Sequence, residues 1–284
     1  MKKAFPGYIL LLMAVSIFFT SCQDGNKKGK LFIIGGGEIS SSVIDKMITT
    51  SGIDKGGYAV ILPMSSEEPD TAAYYTRLDF TGRGVENVYG LSFKKGEVFP
   101  QSRIDSIREA KMVFISGGDQ SKFMAIIKGS DIQKAIHDAF DKGSLICGTS
   151  AGAALMSKKM ITGNELKYPD NDGVFKTIEA GNIETIEGLG MLENVIIDQH
   201  FIKRKRLNRL ISVIIENPEY QCVGIDESTA ILVEGERASV YGDNQVVVLH
   251  NKSPEKKEMS GLLGVKEIKL SVYLPGESFK LNKN

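Results

Sequence analysis

Ser150 stands at the junction of an apolar run and a helix-forming run, in Ser144-Leu-Ile-Cys-Gly-Thr-Ser-Ala-Gly-Ala-Ala-Leu-Met156. The five residues Gly148-Thr149-Ser150-Ala151-Gly152 have the order G-x-S-x-G, in which small neighbours let a strained strand-to-helix turn lift a hydroxyl above a sheet edge. Unpaired N–H groups at the start of the following helix point at the same place and suit a developing oxyanion. The chemistry this predicts is nucleophilic attack on an acyl group. Such a serine needs a base, and the chain has three histidines. His137 falls on the flank of an amphipathic helix, Asp131 to Phe140, whose buried stripe is Ile132, Ile136, Ala139 and Phe140. His250 ends a strand and enters a loop. His200 closes the apolar run Asn194-Val-Ile-Ile-Asp-Gln-His200 in a cluster of polar residues. Open α/β sheets bind ligands at the carboxyl ends of their strands, so His200 is the favoured base.

The segment after His200 begins basic and becomes an amphipathic helix with Leu207, Leu210, Ile211 and Ile214 on its buried face. Arg204, Arg206 and Arg209 cluster near its start, and arginine's planar fork holds a carboxylate with two bonds. A nucleic-acid surface is disfavoured by overall balance, with 35 basic and 35 acidic side chains and no tryptophan. An acidic substrate fits better.

With Ile33-Ile-Gly-Gly-Gly-Glu38, Ser116-Gly-Gly-Asp-Gln120, Gly148-Thr-Ser-Ala-Gly-Ala153 and Asp198-Gln-His-Phe201 in this order, the last followed by Arg204, Arg206 and Arg209, the chain resembles the cyanophycinases, within the wider family of serine peptidases related to peptidase E. The resemblance implies a three-layer α/β sandwich with a mainly parallel central sheet, of the flavodoxin-like or class I glutamine-amidotransferase-like kind. It also implies a Ser, His and acidic-residue triad. The characteristic substrate is cyanophycin, a poly-aspartate whose side chains carry arginine, released as β-Asp-Arg dipeptides. Carried over by position, Ser150 is the nucleophile and His200 the base. The N–H groups of Gly118 and Ala151 form the oxyanion hole, and Gln120, Asp198, Gln199, Arg204, Arg206 and Arg209 line the substrate pocket. The family's acid lies between elbow and histidine, where this chain offers Glu165, Asp170, Asp172, Glu179, Glu184 and Glu187. Glu165, at the end of a short strand, is the preferred acid, with Glu179 second. A homodimer also follows from the resemblance.

These residues must be positioned by the elements around them. Short apolar runs at Leu31 to Ile34, Tyr58 to Leu62, Glu86 to Tyr89, Met112 to Ile115, Leu145 to Cys147 and Asn194 to Ile197 alternate with helical patterns at 41–50, 71–81 and 103–110. That alternation predicts a mainly parallel sheet covered on both faces. After Gln221 the pattern is β-rich, with hairpin turns expected at Glu234-Gly-Glu236 and Gly242-Asp-Asn244. Residues 31–284 read as one catalytic domain. Gly35-Gly-Gly-Glu38 lacks both dinucleotide and P-loop order and reads as a tight crossing beside the site. No metal-ligand spacing is present and no cofactor is expected. Cys147 and Cys222 lie in apolar runs and read as buried thiols. The cysteine of glutamine amidotransferases is replaced at the elbow by Ser150, which disfavours that chemistry.

Lys2 and Lys3, the apolar stretch 7–20 and Phe19-Thr-Ser-Cys22 resemble a bacterial lipoprotein leader. Cleavage after residue 21 would make Cys22 the lipidated first residue, with 22–30 as a polar tether. The expectation is a membrane-tethered enzyme of the cell envelope, outside the cytoplasm, on the periplasmic or surface face of the outer membrane. Removing Lys2 and Lys3 leaves a slight acidic excess, so the mature chain has no general affinity for anionic polymers.

Overall fold

The computed structural model describes Met1 and residues 28–170, 173–253 and 255–282. Apart from Met1, the expected leader, Cys22, the tether as far as residue 27 and Asp172 lie outside the described residues. In chain order the strands are β1 (Lys30–Ile34), β2 (Ala59–Leu62), β3 (Val88–Gly90), β4 (Met112–Ile115), β5 (Leu145–Thr149), β6 (Lys159–Glu165), β7 (Ile183–Glu187), β8 (Val195–Gln199), β9 (Gln221–Ile225), β10 (Thr229–Glu234), β11 (Arg237–Gly242), β12 (Val246–Asn251), β13 (Lys257–Met259), β14 (Leu262–Gly264), β15 (Ile268–Tyr273) and β16 (Ser278–Lys280). The helices are α1 (Ser41–Ser51), α2 (Pro69–Thr81), α3 (Gln101–Arg108), α4 (Gln120–Ile127), α5 (Asp131–Asp141), α6 (Ala151–Ala154) and α7 (Leu207–Glu216).

The large sheet has the order β16-β11-β10-β1-β5-β4-β2-β3. From β1 to β3 its neighbours are parallel, while β10, β11 and β16 add an antiparallel edge. Strand β1 shows why both faces must be covered. Leu31 and Ile33 point into one core with α3, α5 and α6, and Phe32 and Ile34 point into another with α1 and α2. All four are buried, and each such side chain stabilises the fold by about 1.5–3 kcal/mol. The helices are seated by local signals. Ser130 accepts from the N–H groups of Ile132 and Gln133 at the start of α5, and Asp119 accepts from those of Ser121 and Lys122 at the start of α4.

The sequence places the strand before His200 in the main parallel sheet; the structure places it elsewhere. Strand β8 pairs in parallel with β9 in a second sheet of order β15-β12-β9-β8. Val195, Ile197, Val223 and Val248 of that sheet pack in the core they share with Ile33 and Ile231 of the large sheet. Ile196, Cys222 and Leu249 face the other way, toward Leu210, Val213 and Ile214 of α7. A strand buried on both faces looks the same in sequence whichever sheet it joins. The expected turn at Glu234 to Glu236 does join the hairpin β10–β11, where Glu234 pairs with Arg237. The one at Gly242 to Asn244 does not make a hairpin, because β11 and β12 belong to different sheets.

The two sheets meet at the carboxyl end of β1. The N–H of Ser150 donates to the Ile34 carbonyl at 3.0 Å, and that of His200 donates to the Gly35 carbonyl at 2.8 Å. One strand end thus fixes the backbone on both sides of the serine–histidine gap.

Candidate active site

Ser150 follows β5 and precedes the single helical turn α6, with φ 52° and ψ −110°. A non-glycine residue in that region carries strain of about 1–3 kcal/mol, which the surrounding packing must hold. Part of that packing is Gly152: a Cβ there would lie 2.4 Å from the Ile115 carbonyl oxygen. The Ser150 carbonyl accepts from the N–H groups of Ala153 and Ala154, which starts the helix behind the hydroxyl. Gly117 lies across from the elbow, where a Cβ on it would be 3.2 Å from that of Ser150, while a Cβ on its neighbour Gly118, which has φ 132°, would meet the Ser65 carbonyl oxygen at 2.1 Å.

The Oγ of Ser150 is 2.8 Å from Nε2 of His200. The other ring nitrogen, Nδ1, is 2.7 Å from Oε1 of Glu227. Serine, imidazole and carboxylate therefore form one hydrogen-bonded line, the arrangement in which the acid fixes the tautomer and the imidazole accepts the serine proton. His200 is itself left-handed, with φ 48°. Burial pushes its pKa below the ordinary 6.5, overriding the bond to Glu227, and the charges of Arg204 and Arg206 act in the same direction as burial. The bond from His200 holds Glu227 below the usual carboxylate range.

The carboxylate on His200 is Glu227, not Glu165 or Glu179. Glu165 is buried and its Oε1 accepts from the Asn182 amide at 2.7 Å, while Glu179 bonds Tyr168 and Lys167. Glu227 sits in the short connection from β9 to β10, with its carbonyl held by Thr229 Oγ1 and Asn244 Nδ2. Since β9 lies parallel to β8, the carboxyl ends of the two strands bring Glu227 beside His200. The signal was Asp226-Glu227-Ser228 directly after the apolar run 222–225, at a strand end equivalent to that of His200. Asp226 supports the same corner by accepting from the N–H groups of Ile202 and Lys203.

The residues expected to line a substrate pocket divide into two groups. Asp198 and Arg209 face each other: both Asp198 oxygens take the Arg209 fork, and both side chains are buried. Phe175 covers that guanidinium, its ring centroid 4.7 Å away. Gln120 donates to the carbonyls of Ile161 and Thr162, tying α4 to β6. Arg206 donates to the carbonyl and the side-chain oxygen of Gln199, both at 2.6 Å. Burial and the Arg209 charge bring the Arg206 pKa down to about 10. Asp198, Gln199 and Gln120 are therefore occupied by the protein itself. Arg204 and Arg206, with Lys203, Lys205, Gly173 and Val174, line a basic cavity of about 410 Å³. Two buried guanidinium nitrogens, Arg206 Nε and Arg209 Nη1, have no hydrogen-bond partner among the described residues.

The remaining histidines stand apart from Ser150. His137 bonds the Leu189 carbonyl, and His250 bonds Gln221. Cys147 and Cys222 are free and fully buried, and burial pushes both thiols well up. Among the described residues no group of three or more His, Cys, Asp or Glu could hold a metal ion, and no helix is long and apolar enough to cross a membrane.

The chain is similar in sequence to known peptidases. The chain is 30% identical over 267 residues to a cyanophycinase of Nostoc sp. (strain PCC 7120), covering 89% of this chain and 86% of that protein. It is 28% identical over 274 residues to a cyanophycinase of Synechococcus elongatus, covering 92% and 82%. A peptidase E of Actinobacillus pleuropneumoniae matches at 25% over 158 residues, covering 52% and 61%. The crystal structure of a peptidase from an acI-B1 Actinobacterium shares the fold, with a TM-score of 0.63 at 19% identity over 90% of this chain and 98% of that one. Residues 31–241 match peptidase family S51, and the chain, a serine peptidase, belongs to that family.

Proposed function

We propose that this peptidase hydrolyses cyanophycin or a closely similar β-linked aspartyl polymer to β-Asp-Arg dipeptides, through an acyl-enzyme on Ser150. The observation that carries the reading is the line Ser150–His200–Glu227 on a strained elbow, in a chain alike over most of its length to proteins named cyanophycinase. Ser150 Oγ attacks the scissile carbonyl carbon while His200 Nε2 takes its proton, and the N–H groups of Gly118 and Ala151 receive the oxyanion. Collapse expels the amine, protonated by the imidazolium. Water, deprotonated by the same nitrogen, then releases the acid and restores the serine. Glu227 holds Nδ1–H throughout.

The anionic end of the substrate is assigned to Arg204, Arg206 and Arg209. Two of these carry a buried N–H without a partner among the described residues, and an orphaned buried donor is costly unless a ligand completes it. Asp198 and Gln199 position these arginines. The test is incubation of the fragment from Gln23 onward with purified cyanophycin, beside a Ser150→Ala control. Release of β-Asp-Arg by the wild type alone is expected. Labelling of Ser150 by a fluorophosphonate without any dipeptide release would leave a peptidase and discard this substrate.

The rival activity is an aspartyl dipeptidase, which the resemblance to peptidase E suggests; preference for short acidic peptides over the polymer would favour it. A binding lipoprotein without catalysis is opposed by the assembled triad, and failure to label Ser150 would restore it. We also propose that lipid on Cys22 tethers the enzyme to the cell envelope outside the cytoplasm, and that it works as a homodimer. Membrane release on Cys22→Ser and the sedimentation mass of the fragment test these two statements.

A further inference from the structure

Glu165 has a different place from the one its sequence position suggested. It ends β6 and is 3% exposed, yet it lines a cavity of about 520 Å³ together with Lys167, Tyr168, Pro169, Val174 and Thr177. Asn182 holds one of its oxygens with a 2.7 Å bond and is itself fixed, since its own side-chain oxygen accepts from the Lys167 N–H. Lys167 and Lys176 also line the cavity; both are exposed, and Lys167 pairs with Glu179 at 3.3 Å. Tyr168 presents an aromatic ring at the same rim, its hydroxyl bonded to Glu179. A buried carboxylate at the floor and an aromatic face at the mouth are the two groups that hold a guanidinium, one by paired hydrogen bonds and the other by stacking.

The cavity adjoins the substrate cleft. Val174 lines both it and the basic cavity of Arg204 and Arg206. The intervening residue Phe175 packs on Arg209, and the carbonyls of Ile161 and Thr162, earlier on β6, take the Gln120 amide.

We propose that the Glu165 cavity is a second substrate subsite, which takes the guanidinium of a side chain next to the one engaged by the arginines. The proposal rests on the reading of the substrate as an arginine-bearing chain. In such a chain each repeat carries both a carboxylate and a guanidinium, so the basic cavity and the neighbouring cavity floored by the Glu165 carboxylate can engage successive groups of one extended ligand.

The test is binding to the inactive Ser150→Ala protein of two probes, Nα-acetyl-argininamide and its uncharged citrulline analogue, followed by calorimetry or by chemical-shift titration. The arginine probe should bind more tightly by about tenfold or more, the value of a hydrogen-bonded charge pair, and Glu165→Gln should erase the difference while keeping an acceptor for Asn182. Tyr168→Leu, at the exposed rim, should weaken the arginine probe alone, and serves if Glu165→Gln fails to fold. Equal binding of the two probes, or an arginine preference that survives both substitutions, overturns the subsite. Cyanophycin turnover by the active enzyme is read separately: no dipeptide release alongside an intact arginine preference would sink the proposed substrate and leave the subsite standing.

Discussion

Gly36 lies against the face of His200 so closely that a Cβ on it would sit 2.3 Å from Cε1 and 2.5 Å from Nε2 of the ring. Gly36 also has φ 103°, a conformation that side chains rarely adopt. The glycine run at the end of β1 is thus a tight crossing that leaves room for the imidazole. Gly36→Ala must either push the ring off Ser150 or distort the crossing. The expected result is a loss of about 100-fold or more in kcat/KM, because displacement by about an ångström suffices for that. The backbone strain should cost only about 1–3 kcal/mol, so the variant should still fold. Near wild-type turnover in a folded Gly36→Ala protein would contradict this packing.

Glu227→Gln keeps a side chain of the same shape beside Nδ1 but removes the charge and can favour the wrong tautomer. Turnover should fall by about 10⁴-fold, the size seen when a triad acid is changed to its amide. Glu165→Gln leaves the Ser150–His200–Glu227 line intact and should not produce a loss of that order. Steady-state rates of the two variants on one substrate separate the assignments, and a reversed order of effects would return Glu165 to the triad.

The difference between these two glutamates shows where the sequence stops informing. Ser150 was legible because an elbow needs small residues on both sides in immediate sequence. His200 was legible because histidines are scarce and this one ends a strand. Arg204 was marked by the charge run. Glu227 depends instead on which strands are neighbours, and the burial of β8 and β9 on both faces conceals their membership of a second sheet. The pairing of Asp198 with Arg209 was hidden for a related reason. An acid and an arginine that look ready for a ligand are instead brought together when β8 packs on α7. The glycine run and the alternation of strands with helices come from local sterics and periodicity, and the parallel strands β1 to β5 follow from them.

The pH dependence follows from the surroundings of His200. Burial lowers its pKa from the ordinary 6.5, the bond to Glu227 opposes this, and Arg204 and Arg206 lower it further. A base must be neutral to act, so kcat/KM should hold as pH falls through 6.5 and be lost only below it. Arg204→Gln removes one of the charges that disfavour the imidazolium. Its acid limb should therefore move to higher pH than that of the wild type. A limb that stays in place or moves down would show that the Arg204 charge does not act on the imidazole.

Asp198 and Arg209 form an ion pair with almost no solvent contact, the Asp198 side chain at 0% and the Arg209 side chain at 1% exposure. Removing one partner leaves a buried charge uncompensated, which costs about 3–5 kcal/mol. Asp198→Asn should accordingly lower the urea midpoint strongly, as well as disturb the substrate cleft through Arg206 and Arg209. The double variant Asp198→Leu with Arg209→Met replaces the pair by apolar groups and should recover much of the lost stability, since a buried pair and a well-packed apolar substitute are often nearly equal in energy. It should not recover turnover, because the orphaned Arg209 Nη1 assigned to the substrate is gone. Recovery of stability without activity would separate the two roles of this pair; additive losses in the double variant would show that the two side chains act independently.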